Sequence, residues 1–268
     1  MRTLCFTVDL DRDVNEAVSG SPAAVSLDRG SGNAPRFESS KKGTEKLIEL
    51  MDEMNVKSTF FVEARALSKT HMSNLLSGHE VALHGLDHED FNGTRTGIVM
   101  DEGETRETIE RAISIIRDET GSQPSGFRTP YMDPNEMLVE MLPEYGMRYD
   151  SSYYEYLQSE IWPYRHGKIL EIPVCKGKDG KGRNITSYLW PMHEGGRSPE
   201  DFIEMGKQVK DGVFVLATHS WHIVESRSKG IMDSGAVCKN LDNVRLILEG
   251  LMDDGFVIRT MSYVSEQF

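Results

Sequence analysis

Four apolar, strand-like runs in this chain each end on residues able to do acid–base or metal chemistry. LCFTV leads into Asp9-Leu10-Asp11, and HEVAL into His84-Gly-Leu-Asp-His88. SGF leads into Arg128-Thr-Pro-Tyr131, and VFVLAT into His219, with Trp221 two residues on. Where strands and helices alternate around a barrel, side chains at the strand C-termini converge on one face. His84 and His88 sit four apart and can face one ion, and Asp11 adds a hard oxygen ligand. Three protein ligands and one open position are the donor set of a catalytic metal site, where the ion acidifies water and polarises a carbonyl oxygen. Two imidazoles and one carboxylate suit a single divalent ion, zinc first, with cobalt, nickel or manganese accepting the same ligands.

The spacing HxxxH is weak evidence by itself, because surface histidines fall four apart by chance. It is not the zincin motif, since Gly85 stands where that motif needs glutamate. Asp9 and Asp11 share a face if their segment stays extended, so one carboxylate can bind the ion while the other takes a proton from water. The competing reading of DLDRD is an ordinary solvated loop. Arg128, locked before Thr-Pro, can orient Asp9 and keep it ionised, where a surface ion pair is the bland alternative. His219 suits a general acid that protonates a leaving amine, against the usual buried structural histidine. Each signal is modest; their order along the chain makes the set specific.

The elements that must carry these residues alternate. Helical spacing marks 43–55 (Leu47, Leu50, Met51, Met54), 64–76, 104–119 (Ile109, Ala112, Ile113, Ile116), a helix opened by Asp133-Pro134, 198–209 with Ser198 as cap and Pro199 at N1, and 239–253. Strands are expected at 57–62, 79–83, 169–174, 213–218 and 257–260, with a short one ending at Arg128. Residues 14–42 are rich in Ser, Gly, Pro and Ala and read as a loop over the site, and GKDGKGRN from Gly177 as a flexible loop. The alternation predicts an α/β fold with a mostly parallel sheet, in one catalytic domain over 1–268.

The chain has 268 residues, 43 acidic against 30 basic, for a net charge of −13. That balance argues against nucleic acid or an anionic membrane as partner. No apolar run approaches the length of a membrane span, and the N-terminus reads as no signal peptide. Cys5, Cys175 and Cys238 are an odd, unpaired set, so reduced thiols and a cytoplasmic protein are expected. The Asn-X-Thr sites at Asn92 and Asn184 then carry no meaning. The glycine-rich stretch lacks the ending of a phosphate loop, and the scattered methionines read as core filler.

Over nearly its whole length the chain resembles the polysaccharide deacetylases, the NodB-homology or carbohydrate esterase family 4 group. The resemblance runs through Thr7–Asp11, Ser58–Phe61, Gly78–His88, Gly126–Tyr131, Tyr149–Ser152, Glu171–Val174 and Leu216–His219. It implies a distorted (β/α) barrel of about seven strands. It further implies Asp9 as catalytic base, Asp11, His84 and His88 as metal ligands, and Arg128 as the partner of the base. His219 is then the general acid, the backbone amide near Tyr131 an oxyanion contact, and Trp221 a pocket wall. The family's commonest first motif has adjacent aspartates. Leu10 separates them here, as in the branch with intracellular peptidoglycan-deacetylase-like and allantoinase-like proteins, some of them tetrameric, so a homo-oligomer is an expectation. The implied reaction is N-deacetylation of an N-acetylated amino sugar or saccharide, with a small N-acylated substrate. Its rival is a formamide, cyclic imide or ureide at the same site. An iron(II) oxygenase would share the His-His-carboxylate set but has no use for Asp9, Arg128 and His219; a non-catalytic binding relic would have lost the base or a ligand.

Overall fold

The computed structural model describes residues 2–268. Its frame is a parallel run of seven strands: β1 (Arg2–Leu10), β2 (Thr59–Val62), β3 (Glu80–Leu83), β4 (Gly126–Phe127), β5 (Tyr149–Asp150), β6 (Ile169–Glu171) and β7 (Asp211–His219). They lie in the order β6-β5-β4-β3-β2-β1-β7, so the chain steps outward in one direction from the first strand and reaches its other side only at β7. Helices α1 (Glu38–Met54), α2 (Ala64–Thr70), α3 (Glu102–Thr120), α4 (Glu136–Met141), α5 (Pro199–Lys207) and α6 (Ser234–Asp253) fill the crossovers and pack outside.

The sheet is buried on both sides, which is why its strands read as continuous apolar runs. Alternation still sorts them. Leu4, Phe6, Val8 and Leu10 of β1, with Phe214 and Leu216 of β7, join the outer core against the helices. Cys5, Phe61, Ala82, Tyr149, Val213, Val215 and Ala217 form an inner core. Asp9 and His219 share the parity of the inner set, so they enter the barrel at its C-terminal end. Leu10 pointing outward is what gives its two flanking aspartates the same inner side.

The sheet curls until its two edges are joined in two places. Glu160–Ile161 pairs with the start of β7, while Tyr164–His166, three residues on, pairs antiparallel with β6 at the opposite edge. At the site end, Tyr188 bridges to Ala217, with Ala217 N donating to Ser187 O and Leu189 N to Ala217 O, both at 2.8 Å.

The helical expectations hold in their apolar faces and shift at their ends. Ile109, Ala112, Ile113 and Ile116 are all buried, and Asp101 and Glu104 cap α3 reciprocally. α1 begins at Glu38 rather than 43. Phe37 offers no capping side chain, and the first turn is held instead by Asp13, whose carboxylate accepts from Ser39 N at 3.0 Å and Ser40 N at 2.7 Å. The expected 64–76 helix stops at Thr70, where His71 turns left-handed, and resumes as a 3-10 turn over Ser73–Leu76. Pro134 does not open α4; Asn135 caps it, accepting from Leu138 N. Residues 14–37 carry a small ribbon, Asn15–Glu16 against Val25–Ser26. GKDGKGRN is a hairpin turn, not a loose loop: Asp179 accepts from Lys181 N at 2.9 Å and Arg183 N at 2.8 Å.

α1 lies under the site loop at a close approach that only glycine allows. A Cβ on Gly43 would stand 1.8 Å from the backbone oxygen of Ser220, the residue after His219. Gly43→Ala is therefore expected to cost roughly 2–3 kcal/mol by overpacking and to displace His219. Thermal unfolding and turnover of the variant should fall together; a melting temperature at the parent's value would show that the loop moves freely.

Candidate active site

Asp9 is paired in register with His219 across β1 and β7 and is 1% exposed. Its Oδ1 accepts from Arg128 Nη1 at 2.8 Å, and its Oδ2 accepts from the hydroxyl of Tyr188. Burial pushes the carboxyl up, but the Arg128 charge, then His84 and His219, and the Tyr188 hydrogen bond outweigh it and hold it down to about 2. Asp9 is thus ionised at any working pH.

Arg128 is no surface residue. It is fully buried, with its guanidinium 4.0 Å from the Phe61 ring centre. Nε donates to Ser151 O at 3.1 Å, Nη2 to Ser151 Oγ at 3.0 Å and Nη1 also to Thr7 Oγ1 at 3.0 Å. Ser152 Oγ in turn accepts from Thr129 N at 2.8 Å and donates to Asp150 Oδ1 at 2.5 Å. Asp150 faces Glu171 in register, both fully buried. Burial raises both carboxyls, Asp150 to about 6, and the Asp150 charge adds to burial in keeping Glu171 well above its usual range. The Tyr-Asp-Ser-Ser and Glu-Ile-Pro-Val segments therefore serve to aim Arg128. An acid whose folded pKa is raised stabilises most below its unfolded pKa and loses that contribution as pH rises through the folded value. Glu171→Gln, which keeps a neutral partner for Asp150, should accordingly flatten the fall in stability as pH rises above about 4, a change readable as melting temperature against pH.

Asp11, His84 and His88 are all buried and bring one ligand atom each within 4.8 Å of one another. Their chemistry fits a bound cation. His84 Nδ1 lies 2.7 Å from Arg128 O and donates to it, leaving Nε2 with its lone pair. Burial pushes His84 down to about 4, and burial with Arg12 takes His88 well below the ordinary imidazole range, so both stay neutral. Asp11 Oδ2 accepts from Asn15 Nδ2 at 2.6 Å and lies 3.2 Å from His88 Nε2; Oδ1 has no partner among the described residues. Burial lifts Asp11 to about 7, with the Asp9 charge adding to it, a strain that a divalent ion reverses.

The loop between the histidines is built by residues the sequence reading passed over. Glu89 accepts from Leu86 N at 3.0 Å and Asp87 N at 2.7 Å. A Cβ on Gly85, at φ +78°, would fall 2.6 Å from the same carboxylate. His88 itself is left-handed at φ 54°. Beneath it Arg12, 1% exposed, pairs with buried Glu63 and with Asp87, and Arg65 holds Asp87 from outside.

A cavity of about 560 Å³ opens over this set. Asp9, His84, His88, Tyr131, His219 and Trp221 line it, while Asp11 and Arg128 lie behind the wall. The structure thus gathers all eight residues singled out from the sequence. His219 Nδ1 has no hydrogen-bond partner among the described residues, and its ring stands 5.4 Å from Tyr188 and 5.5 Å from Trp221. Tyr131, at φ 63°, packs edge-on to His88 at 4.5 Å. Loop residues Asn15, Glu16 and Ala17 and, from 175–197, Tyr188 and Trp190 add to the wall, with Arg95, Tyr154 and Arg227 also lining it. Tyr188 is the most consequential residue missed; no apolar run or motif marks it. His222, whose Nε2 lies 2.8 Å from Glu194 Oε1, is marked in the sequence only as a neighbour of His219.

Residues 16–149 match the family model described as polysaccharide deacetylase, which is half of the chain. The chain belongs to the polysaccharide deacetylase family. The matched stretch holds His84, His88, Arg128 and Tyr131, while Asp9, Asp11 and His219 lie outside it. Among curated relatives, a peptidoglycan deacetylase of Helicobacter pylori is 25% identical over 125 residues, 46% of this chain and 40% of that protein. Chitin deacetylase 1 of Cryptococcus neoformans var. grubii is 32% identical over 108 residues, 39% of this chain and 22% of that one. The match thus spans well under half the length of either relative. Of solved structures, Puue allantoinase superposes with a TM-score of 0.67 at 17% identity, covering 98% of this chain and 89% of its own. At that identity the likeness speaks for the distorted barrel alone. No helix among the described residues is long and apolar enough to cross a membrane.

Proposed function

We propose that this chain hydrolyses a linear amide, in the first instance the N-acetyl group of an amino sugar or saccharide, giving acetate and the free amine. The observation that carries the reading is Asp9, clamped by Arg128 at 2.8 Å and by Tyr188, facing His219 at the mouth of a cavity that also presents the Asp11-His84-His88 set. Those three residues would hold a divalent ion, zinc by its donor set, and such an ion when bound acidifies water and polarises an acyl oxygen.

The chain's own residues do the rest. Asp9, ionised and fixed in direction, takes the proton of the attacking water. The Tyr131 backbone amide receives the negative charge that develops on the acyl oxygen. His219, its Nδ1 unengaged, gives a proton to the departing nitrogen as the C–N bond breaks. The aromatic walls, Tyr131, Tyr154, Tyr188, Trp190 and Trp221, suit the apolar faces of a sugar ring.

The test is acid release by zinc-loaded protein from a panel of N-acetylated amino sugars. Acetate from the parent and none from Asp9→Asn supports the reading. Silence on the panel, with formate or a ring-opened acid from formamides, imides or ureides, would move the same machinery to another amide.

A further inference from the structure

Two polar atoms left without partners at the cavity can donate, and they describe what the substrate must bring. Trp221 Nε1 and the Tyr131 hydroxyl are buried, line the cavity and meet no hydrogen-bond partner among the described residues. An indole N–H can only donate, and a buried donor left unpaired is costly, so a ligand acceptor is the natural complement. Charge at the rim points the same way. Glu16 is answered by Arg227, whose Nη2 lies 3.5 Å from Glu16 Oε1 and whose Nη1 donates to Asn15 O at 3.3 Å. Asp9 is answered by Arg128. Arg95 alone is left over: it lines the cavity, ion-pairs with no carboxylate among the described residues, and lies 4.7 Å over the Tyr131 ring. A guanidinium laid on an aromatic face keeps its planar N–H edge free for two parallel bonds to an anion. Arg95 is exposed at the rim of the cavity, so its guanidinium is open to an incoming anion.

We propose that the amide taken by this site carries a second, anionic group, a carboxylate or phosphate, which Arg95 binds. Because Tyr131 packs against His88, that group sits on the metal-ligand side of the cavity, away from His219 and Trp221. Arg95 is then the residue that sets specificity, with no part in the bond-breaking itself. The inference rests on the amide-hydrolase reading for its catalytic readout and not for its binding readout.

The experiment compares three probes with zinc-loaded protein: N-acetylglucosamine, its 6-phosphate, and N-acetylmuramic acid, which adds a carboxylate through a lactyl ether. At least one anionic sugar should exceed the neutral one in kcat/KM by about tenfold, mostly through KM, the worth of one charge-assisted pair. Arg95→Gln should bring that substrate down to the neutral sugar's level, and Arg95→Lys should retain most of the preference. Equal kcat/KM for all three in the parent, or a preference that survives Arg95→Gln, overturns the inference. If none is hydrolysed, the amino-sugar reading fails separately, and calorimetry of the two anionic sugars on Asp9→Asn protein decides. Binding that weakens about tenfold when Arg95→Gln is added supports the inference; binding that is absent, or indifferent to Arg95, overturns it.

Discussion

Asp9→Asn is expected to lower kcat by roughly 10²–10⁴-fold while the protein still takes up one equivalent of divalent metal. Asparagine keeps the shape and can still accept from Arg128, but it can no longer receive a proton. Asp11, His84 and His88 are untouched, so metal content should match the parent and KM should change little. The pH dependence offers an independent check. With Asp9 held at about 2, it adds no acid limb to kcat/KM above about pH 4, and any limb seen near neutrality belongs to another group. A variant turning over within a few-fold of the parent at full metal loading would remove Asp9 from the mechanism.

Arg128→Met carries the largest expected effect on stability. It leaves the Asp9 carboxylate buried with its charge unanswered, and breaking one side of a buried pair costs about 3–5 kcal/mol. At a few degrees per kcal/mol for a chain of this size, the melting temperature should fall by roughly 10 °C or more. The sign with pH follows from the direction of the shift. Asp9 has a folded pKa below its unfolded value, so its pairing stabilises the protein above about pH 4, and that contribution disappears as pH falls toward 2. In Arg128→Met burial acts unopposed, Asp9 moves up, and the variant should regain stability on acidification where the parent loses it. The double variant Asp9→Asn with Arg128→Met removes both charges and should be more stable than Arg128→Met alone. Simple addition of the two single losses would mean that the pair is not coupled and that Arg128 acts through packing.

The site was legible where a polar residue directly follows an apolar run. Asp9, His84, Arg128 and His219 stand at strand ends, and parity along β1 and β7 places the side chains of Asp9 and His219 inside. That pattern survives in sequence because a strand buried on both faces has no other reason to end so abruptly. What could not be read depends on neighbours made only by folding. Tyr188 reaches Asp9 from 179 residues away through a segment that bridges β7 at a single position. The cap of α1 comes from Asp13 and not from the residue before the helix, so the start at Glu38 was hidden. Asp150 and Glu171 look like ordinary acids until β5 and β6 lie side by side. No motif or periodicity marks Glu89 and Arg12, yet each is buried in support of the His84–His88 loop.

The two ties across the open side of the curled sheet divide labour between durability and adaptability. The lower tie, Glu160 to His166, fastens the edges at the end away from the chemistry, so the frame stays a closed hoop whatever happens above it. The upper tie is the return of the 174–189 hairpin, and it brings Tyr188 and Trp190 to the cavity. A lineage can therefore rebuild that hairpin, trading one wall of the cavity for another, without loosening the ring that holds Asp9 opposite His219. Kinship in this fold should be read from the hoop, and diversity of substrate from the upper tie.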